Sequence, residues 1–438
     1  MANLFKSSRK TIVRRKPSAA AGSSAARGRG LRFLIVRVGA MGDVLHALPA
    51  ITALRAAHPD CEIGWVVDPR WRPLLRAASQ PDAQPLSAAM PLVNRIHRAE
   101  TRLWSSAPLS MRTARSIASL RRELRSQSYD LCIDLQGSIR SAIIGRMSGA
   151  ANLAGPMHPR EWPAQWLYQQ RIPTHLAHVV EQACEIVSEA IGEATAPAVP
   201  LLPVDPEAEA WSEALLDQAR QKSGATDFVV LTPGAGWGAK RWPTERYREV
   251  ASGLAAKGYA VLINAGPGET KLARSVQCDP RIPARRASAA AEANPLIQVV
   301  ACSIGQLTSL LRRASLFVGG DTGPLHLAAA LQCPIVGIYG PTDPARNGPY
   351  ELRSSGTDPG PGSSRCIVLR GPGGITDHSR RSAADAALLS IRPQHVLDAC
   401  LTLLKESQRN PAQTERVEES ARNASPGGDG SGEGKEAQ

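Results

Sequence analysis

Two stretches decide how this sequence folds: Gly39-Ala40-Met41-Gly42-Asp43-Val44-Leu45-His46 and Gly319-Gly320-Asp321-Thr322-Gly323-Pro324-Leu325-His326. The first follows an apolar run at 31–38, the second a run at 315–318. In each, glycines end a strand-like run and an acid stands where a helix begins. A helix N-terminus carries unpaired N–H groups and a partial positive charge, so it is a ready anion site. Two such ends, one in each half, predict two α/β units with a cleft between them. A carboxylate in one half then faces a phosphate held by the other.

The alternation continues outward from these loops. Apolar runs at 31–38, 61–67, 95–99, 129–135 and 152–154 predict strands, and amphipathic stretches at 44–57, 111–126 and 178–191 predict helices. Pro197, Pro200, Pro203 and Pro206 cannot lie inside a helix or a central strand, so 195–207 reads as a linker. The pattern then restarts, with strands expected at 228–231, 260–264, 297–300, 316–318 and 335–338. Helices are expected at 244–257, 269–276, 304–313 and 325–331. Strands and helices in this order argue for parallel sheets with crossover helices.

The resulting plan is a basic arm at 1–30, a first domain at 31–194, the linker, and a second domain at 208–382. A closing helix within 383–405 is expected to return to the first domain, ahead of a tail at 406–438. The stretch 354–382 is rich in Gly, Ser and Pro and carries no clear element.

The 438 residues suffice for two domains, and 43% apolar residues suffice for their cores. No apolar run is long enough to span a membrane, and the run from 31 is soon broken by Arg37 and Asp43, so it makes a poor signal peptide. A cytoplasmic protein is expected. The eight cysteines are scattered with no CxxC pair, which fits packed thiols rather than disulfides or a metal site. The net charge is +13; 1–30 holds eight Lys or Arg and no acid, whereas 406–438 holds four basic and seven acidic residues. Both ends read as disordered, and the basic arm is either a solvated tail or an attractor for anionic surfaces.

Several loops carry candidate chemistry. Asp43 is suited either to capping its helix or to taking a proton from a hydroxyl; it would repel the pyrophosphate of a dinucleotide. His46 follows one turn later and either orients the site or packs. Pro233-Gly234-Ala235-Gly236-Trp237-Gly238-Ala239-Lys240-Arg241 follows a strand and reads as a phosphate cradle, though it is no P-loop. Glu269 can accept from ribose hydroxyls or start a helix. Thr322 and Gly323 can offer N–H groups to phosphate, with Asp321 toward sugar hydroxyls and His326 in the first turn. Pro324 stands where its missing N–H costs nothing. Two basic stretches remain: Arg70-Trp71-Arg72 with Arg76, and Arg112, Arg115, Arg121, Arg122 and Arg125. Each reads as a solvated face or as docking to an anionic membrane, with Trp71 at headgroup depth.

Five pieces occur in a telling order: Met41-Gly42-Asp43-Val44-Leu45-His46-Ala47-Leu48-Pro49, Asp134-Leu135-Gln136-Gly137, Lys240-Arg241-Trp242-Pro243, Asp321-Thr322-Gly323-Pro324-Leu325-His326, and Tyr339-Gly340-Pro341-Thr342-Asp343-Pro344. Together they resemble the ADP-heptose:lipopolysaccharide heptosyltransferases, glycosyltransferase family 9, with the first loop worded more like heptosyltransferase I than type II. The resemblance implies a GT-B fold, two Rossmann-like domains around a cleft. It implies inverting transfer of heptose from ADP-L-glycero-D-manno-heptose to a Kdo-lipid A type acceptor of the lipopolysaccharide inner core. No cofactor and no tightly held metal are implied.

By motif position Asp43 matches the general base. Gly234, Ala235, Gly236, Lys240, Glu269, Asp321, Thr322, Gly323 and His326 match the donor site, and Gly42, Gln136 and Arg140 the acceptor side. A monomer, peripheral on the cytoplasmic face of the inner membrane, is expected. Heptosyltransferase II or another family 9 enzyme is the near alternative. A sugar-nucleotide epimerase can share the two-domain plan. The pI of about 9.7 suggests nucleic-acid binding, but the charge sits largely in an arm and no recognition motif is present, so no nucleic-acid partner is expected.

Overall fold

The computed structural model describes residues 30–278, 294–352, 365–371 and 385–409. The arm, nearly all of the acidic tail and most of 354–382 lie outside the described residues. In the first half β1 (Arg32–Val36) leads into α1 (Met41–Ala57), then β2 (Glu62–Val67) and β3 (Arg95–Arg98). There follow α2 (Thr101–Ser106), α3 (Met111–Ser126), β4 (Leu131–Asp134), α4 (Ile139–Met147), β5 (Asn152–Pro156), β6 (Gln170–Ile172) and α5 (Val179–Ile191). The second half supplies β7 (Phe228–Thr232), β8 (Ala260–Asn264), β9 (Ile297–Val300), β10 (Leu316–Gly320), β11 (Ile335–Tyr339) and β12 (Cys366–Arg370).

Each half forms one six-stranded sheet, ordered β3-β2-β1-β4-β5-β6 and β12-β11-β10-β7-β8-β9. Every neighbouring pair is parallel. In both sheets the strand order reverses beside the half's first strand, between β1 and β4 and between β7 and β10. Such a switch point opens a crevice at the carboxyl ends of the strands, where ligands of doubly wound sheets bind. The loops after β1 and β4 carry Asp43 and Gln136; those after β7 and β10 carry Lys240 and Asp321.

The helix α1 is buried around most of its girth, with Val44, Leu48, Ile51 and Leu54 fully buried. It packs on α5 and on the second-half helix Gly323–Ala330, so it forms part of the wall between the halves. That explains why its apolar residues follow no single stripe. The segment after α5 runs along the first half, where Ala198 N–H donates to Pro49 O (3.3 Å) and Leu201 N–H to Thr52 Oγ1 (3.2 Å).

Several elements were not anticipated. The six-residue α2 and the three-residue β6 are too brief to show a period, and the apolar residues of α4 form no one-sided stripe. The helix Pro206–Ser223 begins at the last proline assigned to the linker; Pro206 sits in its first turn and Asp205 accepts from Glu207 N–H at 3.2 Å. The strand β12 lies inside the Gly-rich stretch and pairs at the sheet edge with β11.

The closing helix, Pro393–Arg409, corrects an expectation. It does not return to the first domain. Val396, Cys400, Leu403 and Leu404 share a core with Leu254, Val318 and Ile338 of the second. An amphipathic stripe fixes which face is buried, not which partner covers it. Leu404→Ala should therefore destabilise the second domain by about 2–5 kcal/mol, read as a lowered urea midpoint; a loss below about 1 kcal/mol would mean the helix is only loosely attached.

Candidate functional site

The two glycine loops meet across the interface. A Cβ built on Gly42 would stand 2.8 Å from Cδ2 of His326, and one on Gly323 would stand 2.5 Å from Sδ of Met41. Only glycine permits this approach of two helix ends.

Asp43 occupies the third position of α1. Its Oδ2 accepts from Ala40 N–H at 3.0 Å, and Oδ1 pairs with Arg37 Nη2 at 3.2 Å. The N-cap expected at Asp43 is instead Ala40, and Asp43, inside the first turn, reaches back to accept from its N–H. Its side chain is still 35% exposed, and a carboxylate keeps acceptor capacity beyond two partners.

A chain of polar contacts starts one turn along α1. His46 Nε2 lies 3.2 Å from His326 Nδ1, and His326 Nε2 lies 3.1 Å from Asp321 Oδ1. Lys240 donates to the other oxygen, Oδ2. The His326 ring thus bridges the two domains, meeting the carboxylate through Nε2 and His46 through Nδ1. Burial pushes the Asp321 carboxyl up, but the hydrogen bond and charge of His326, then the charge of Lys240, outweigh it and hold the group well below the usual carboxylate range. Burial foremost, then His326, His178 and Arg37, push His46 well below the ordinary imidazole value. His178 is lowered too, chiefly by burial; it caps α5 by accepting from Val180 N–H and gives Nε2 to Gly348 O at 3.2 Å.

The expected donor residues gather here in part. Lys240, Asp321 and His326 form one cluster, with Lys240 Nζ 4.4 Å above the Trp237 ring. Thr322 is the N-cap of the helix Gly323–Ala330, its hydroxyl given to Gly320 O. Glu269 forms a neighbouring pair with Gly234: its Oε2 accepts from Gly266 N–H at 3.2 Å, and its carboxylate lies where a Gly234 side chain would be. Ala235 is buried, whereas Gly236 is exposed with open space beside it.

A concavity of about 730 Å³ opens in the first domain, lined among others by Gly39, Trp71, Trp104, Gln136, Arg140 and Arg160. Gln136 Oε1 accepts from Val38 N–H (3.1 Å) and Gly39 N–H (3.3 Å), pinning the first glycine loop to the β4 loop. Arg140 Nη2 donates to Ser105 Oγ at 3.2 Å. Trp71 lines this pocket and packs on Gly39, and Arg72, Arg76 and Arg98 converge on Asp82. Much of that basic stretch is therefore a structural ion cluster, with the partly buried Trp71 in a pocket wall.

The model described as "Glycosyltransferase family 9 (heptosyltransferase)" matches residues 117–357, more than half of the chain. The chain belongs to glycosyltransferase family 9. Lipopolysaccharide heptosyltransferase 1 of Pseudomonas aeruginosa is 27% identical over 329 residues, covering 73% of this chain and 81% of that protein. The Escherichia coli K12 protein of the same name is 29% identical over 333 residues, covering 73% and 91%. Among solved structures, E. coli heptosyltransferase WaaC with ADP-2-deoxy-2-fluoro heptose matches with TM-score 0.60 at 25% identity, covering 86% of this chain and all of that one. E. coli ADP-heptose lps heptosyltransferase II matches with TM-score 0.64 at 20% identity, covering 86% of this chain and 100% of that one, a likeness of fold. The fold is GT-B and the protein is a glycosyltransferase, which sets aside the epimerase and nucleic-acid readings.

Two groups beside these loops were given no role of their own from the sequence. His178 is separated from His46 and His326 by long stretches of sequence, and no spacing rule links them. Asp134 ends β4 fully buried and accepts from Gln136 N–H (2.8 Å), Gly137 N–H (3.2 Å), Ser141 Oγ (2.8 Å) and Tyr168 OH (2.8 Å). Burial raises its carboxyl despite these four donors. An acid at the end of an apolar strand run was the available signal.

The lowered His46 value has a consequence for stability. The unfolded chain takes up a proton near pH 6.5, but the folded site resists it, so stability falls as pH drops below that value. The thermal midpoint should therefore decline between pH 7 and pH 5, and less steeply in His46→Asn. Parallel slopes for the two proteins would show that His46 is not strained by charging.

Proposed function

We propose that this chain is a heptosyltransferase I. It transfers heptose from ADP-L-glycero-D-manno-heptose to a Kdo-lipid A type acceptor of the lipopolysaccharide inner core, acting as a monomer at the cytoplasmic surface of the inner membrane. The observation that carries this reading is the contact of the donor-side cluster Lys240-Asp321-His326 with the first glycine loop at Gly42 and His46. It supports a cleft in which the helix start that carries Asp43 meets the phosphate-binding candidates of the other domain. The basic pocket with Gln136 and Arg140 offers room for an anionic sugar acceptor.

The reaction is a single displacement with inversion. Asp43 takes the proton of the acceptor hydroxyl as its oxygen bonds to the anomeric carbon. The bond from that carbon to the diphosphate oxygen breaks, and ADP leaves with the electron pair. Lys240 turns from Asp321 to the diphosphate, and the N–H groups at Thr322 and Gly323 face the growing charge. Asp321, still held by His326, is left to accept from the sugar, and Glu269 from the ribose. Residues 233–236 approach closely because two of them are glycines.

Incubating the protein with ADP-heptose and Kdo-lipid A should give an acceptor heavier by one heptose, identified by mass; GDP- and UDP-sugars should give none. Product only on an acceptor that already carries heptose would favour the type II activity instead.

Two substitutions test the roles. An asparagine oxygen can still accept from Ala40 N–H, so Asp43→Asn should keep the helix start while lowering turnover ~10²–10⁴-fold with donor affinity intact. Near-normal turnover would leave Asp43 with only its helix role. Lys240→Ala should weaken ADP-heptose binding by roughly tenfold or more, as for a charge-assisted contact, measured by calorimetry; unchanged affinity removes Lys240 from the donor site.

A further inference from the structure

Residues 162–167 form a short 3-10 helix that presents two tryptophans outward. Trp162 is 62% exposed and Trp166 65%, with their rings stacked edge to face at 4.5 Å. Large aromatic side chains seldom face water in adjacent pairs, because the apolar area they bury is their main contribution. The platform beneath them is firm: Ala164 and Tyr168 are buried, and Tyr168 OH is tied to Asp134. Glu161, the residue before, accepts from Ile139 N–H at 2.9 Å and so joins the platform to the start of α4.

On α4 stand two further exposed apolar side chains, Ile139 and Ile143, and both also line the first-domain pocket. The pocket mouth therefore has an apolar side that continues toward the tryptophan pair. The charge around it is predominantly positive, although Asp68 and Glu161 also line the pocket. Residues 101–171 contain ten arginines and four acids, and Arg140 and Arg160 line the pocket itself. The helix α3, which contributes Ile117 to the pocket, exposes Arg112 and Arg115. Such a surface repels a second copy of itself and complements a negatively charged one.

We propose that Trp162 and Trp166, with Ile139 and Ile143, form a docking surface for an anionic phospholipid bilayer that turns the first-domain pocket toward the membrane. The indole rings lie at headgroup depth, where an apolar ring with one polar N–H is best accommodated, and the surrounding arginines meet lipid phosphates. The role given to Trp71 from the sequence passes to this pair. The proposal rests on the reading of the acceptor as a membrane-held lipid, which such a surface would serve by shortening the path from bilayer to pocket.

Full-length protein is sedimented with vesicles of phosphatidylcholine containing phosphatidylglycerol, and with pure phosphatidylcholine vesicles. The expected result is binding to the anionic vesicles that falls roughly tenfold in W162S/W166S, since binding scales with the apolar area inserted. W162F/W166F should keep part of it. Both pairs are exposed, so the thermal midpoint should not move. Turnover on a water-soluble, deacylated acceptor should be unchanged, while turnover on vesicle-held acceptor falls with the binding.

Undiminished vesicle binding in W162S/W166S would overturn the proposal and assign the contact to the basic arm. A dimer that dissociates in W162S/W166S, seen by sedimentation velocity, would overturn it by giving this face to a second copy. The vesicle measurement needs no turnover, so it stands apart from the failure of heptose transfer itself.

Discussion

Two helix N-termini press against each other across the domain boundary, and the site depends on that contact. Like ends of two helix dipoles repel, and each end leaves donors without partners. Here the repulsion is met by acids supplied locally, Asp43 on one side and Asp321 on the other. Glycine at 42 and 323 lets the backbones close to within side-chain contact of His326 and Met41. The polar chain from His46 through His326 to Asp321 and Lys240 then crosses the seam at this point. A bulkier residue at either glycine would separate the halves and break the chain.

The electrostatics of that chain favour exchange of partners. Lys240 and Asp321 are both nearly buried, and each is the other's counter-charge. A buried pair is stable only when its remaining hydrogen bonds are met, and His326 meets one for Asp321. On the proposed reading, an arriving diphosphate offers Lys240 more negative charge than one carboxylate does. Asp321 does not become stranded in that exchange, because the histidine still holds it. The site therefore holds its own stand-in for the ligand's charge.

The first domain shows the same economy with a different group. Asp134 gathers two loop N–H groups, a serine and a tyrosine, and so sets the β4 loop from which Gln136 and α4 project. Gln136 in turn holds the first glycine loop. The tyrosine carries the exposed tryptophan platform. One buried carboxylate thus connects the helix start at Asp43, the pocket wall and the outer apolar surface.

The amino-acid sequence by itself determined the local chemistry. Strand-breaking glycines placed beside acids, prolines and a lysine marked Asp43, Lys240, Glu269, Asp321 and His326, because turn and cap preferences act within a few residues. The alternation of short apolar runs with amphipathic ones likewise marked two α/β units. Elements of only a few residues, such as β6 and α2, left no period to read.

Only the tertiary structure decided the rest. Strand order put both sets of loops at switch points, and nothing local encodes which strands become neighbours. Packing placed the closing helix on the second sheet, set Trp71 partly buried in a pocket wall and left Trp162 and Trp166 outside. It also joined His46, His178 and His326, which are far apart along the chain. A side chain's propensity is set by its neighbours in sequence, whereas its partner is set by which surfaces meet.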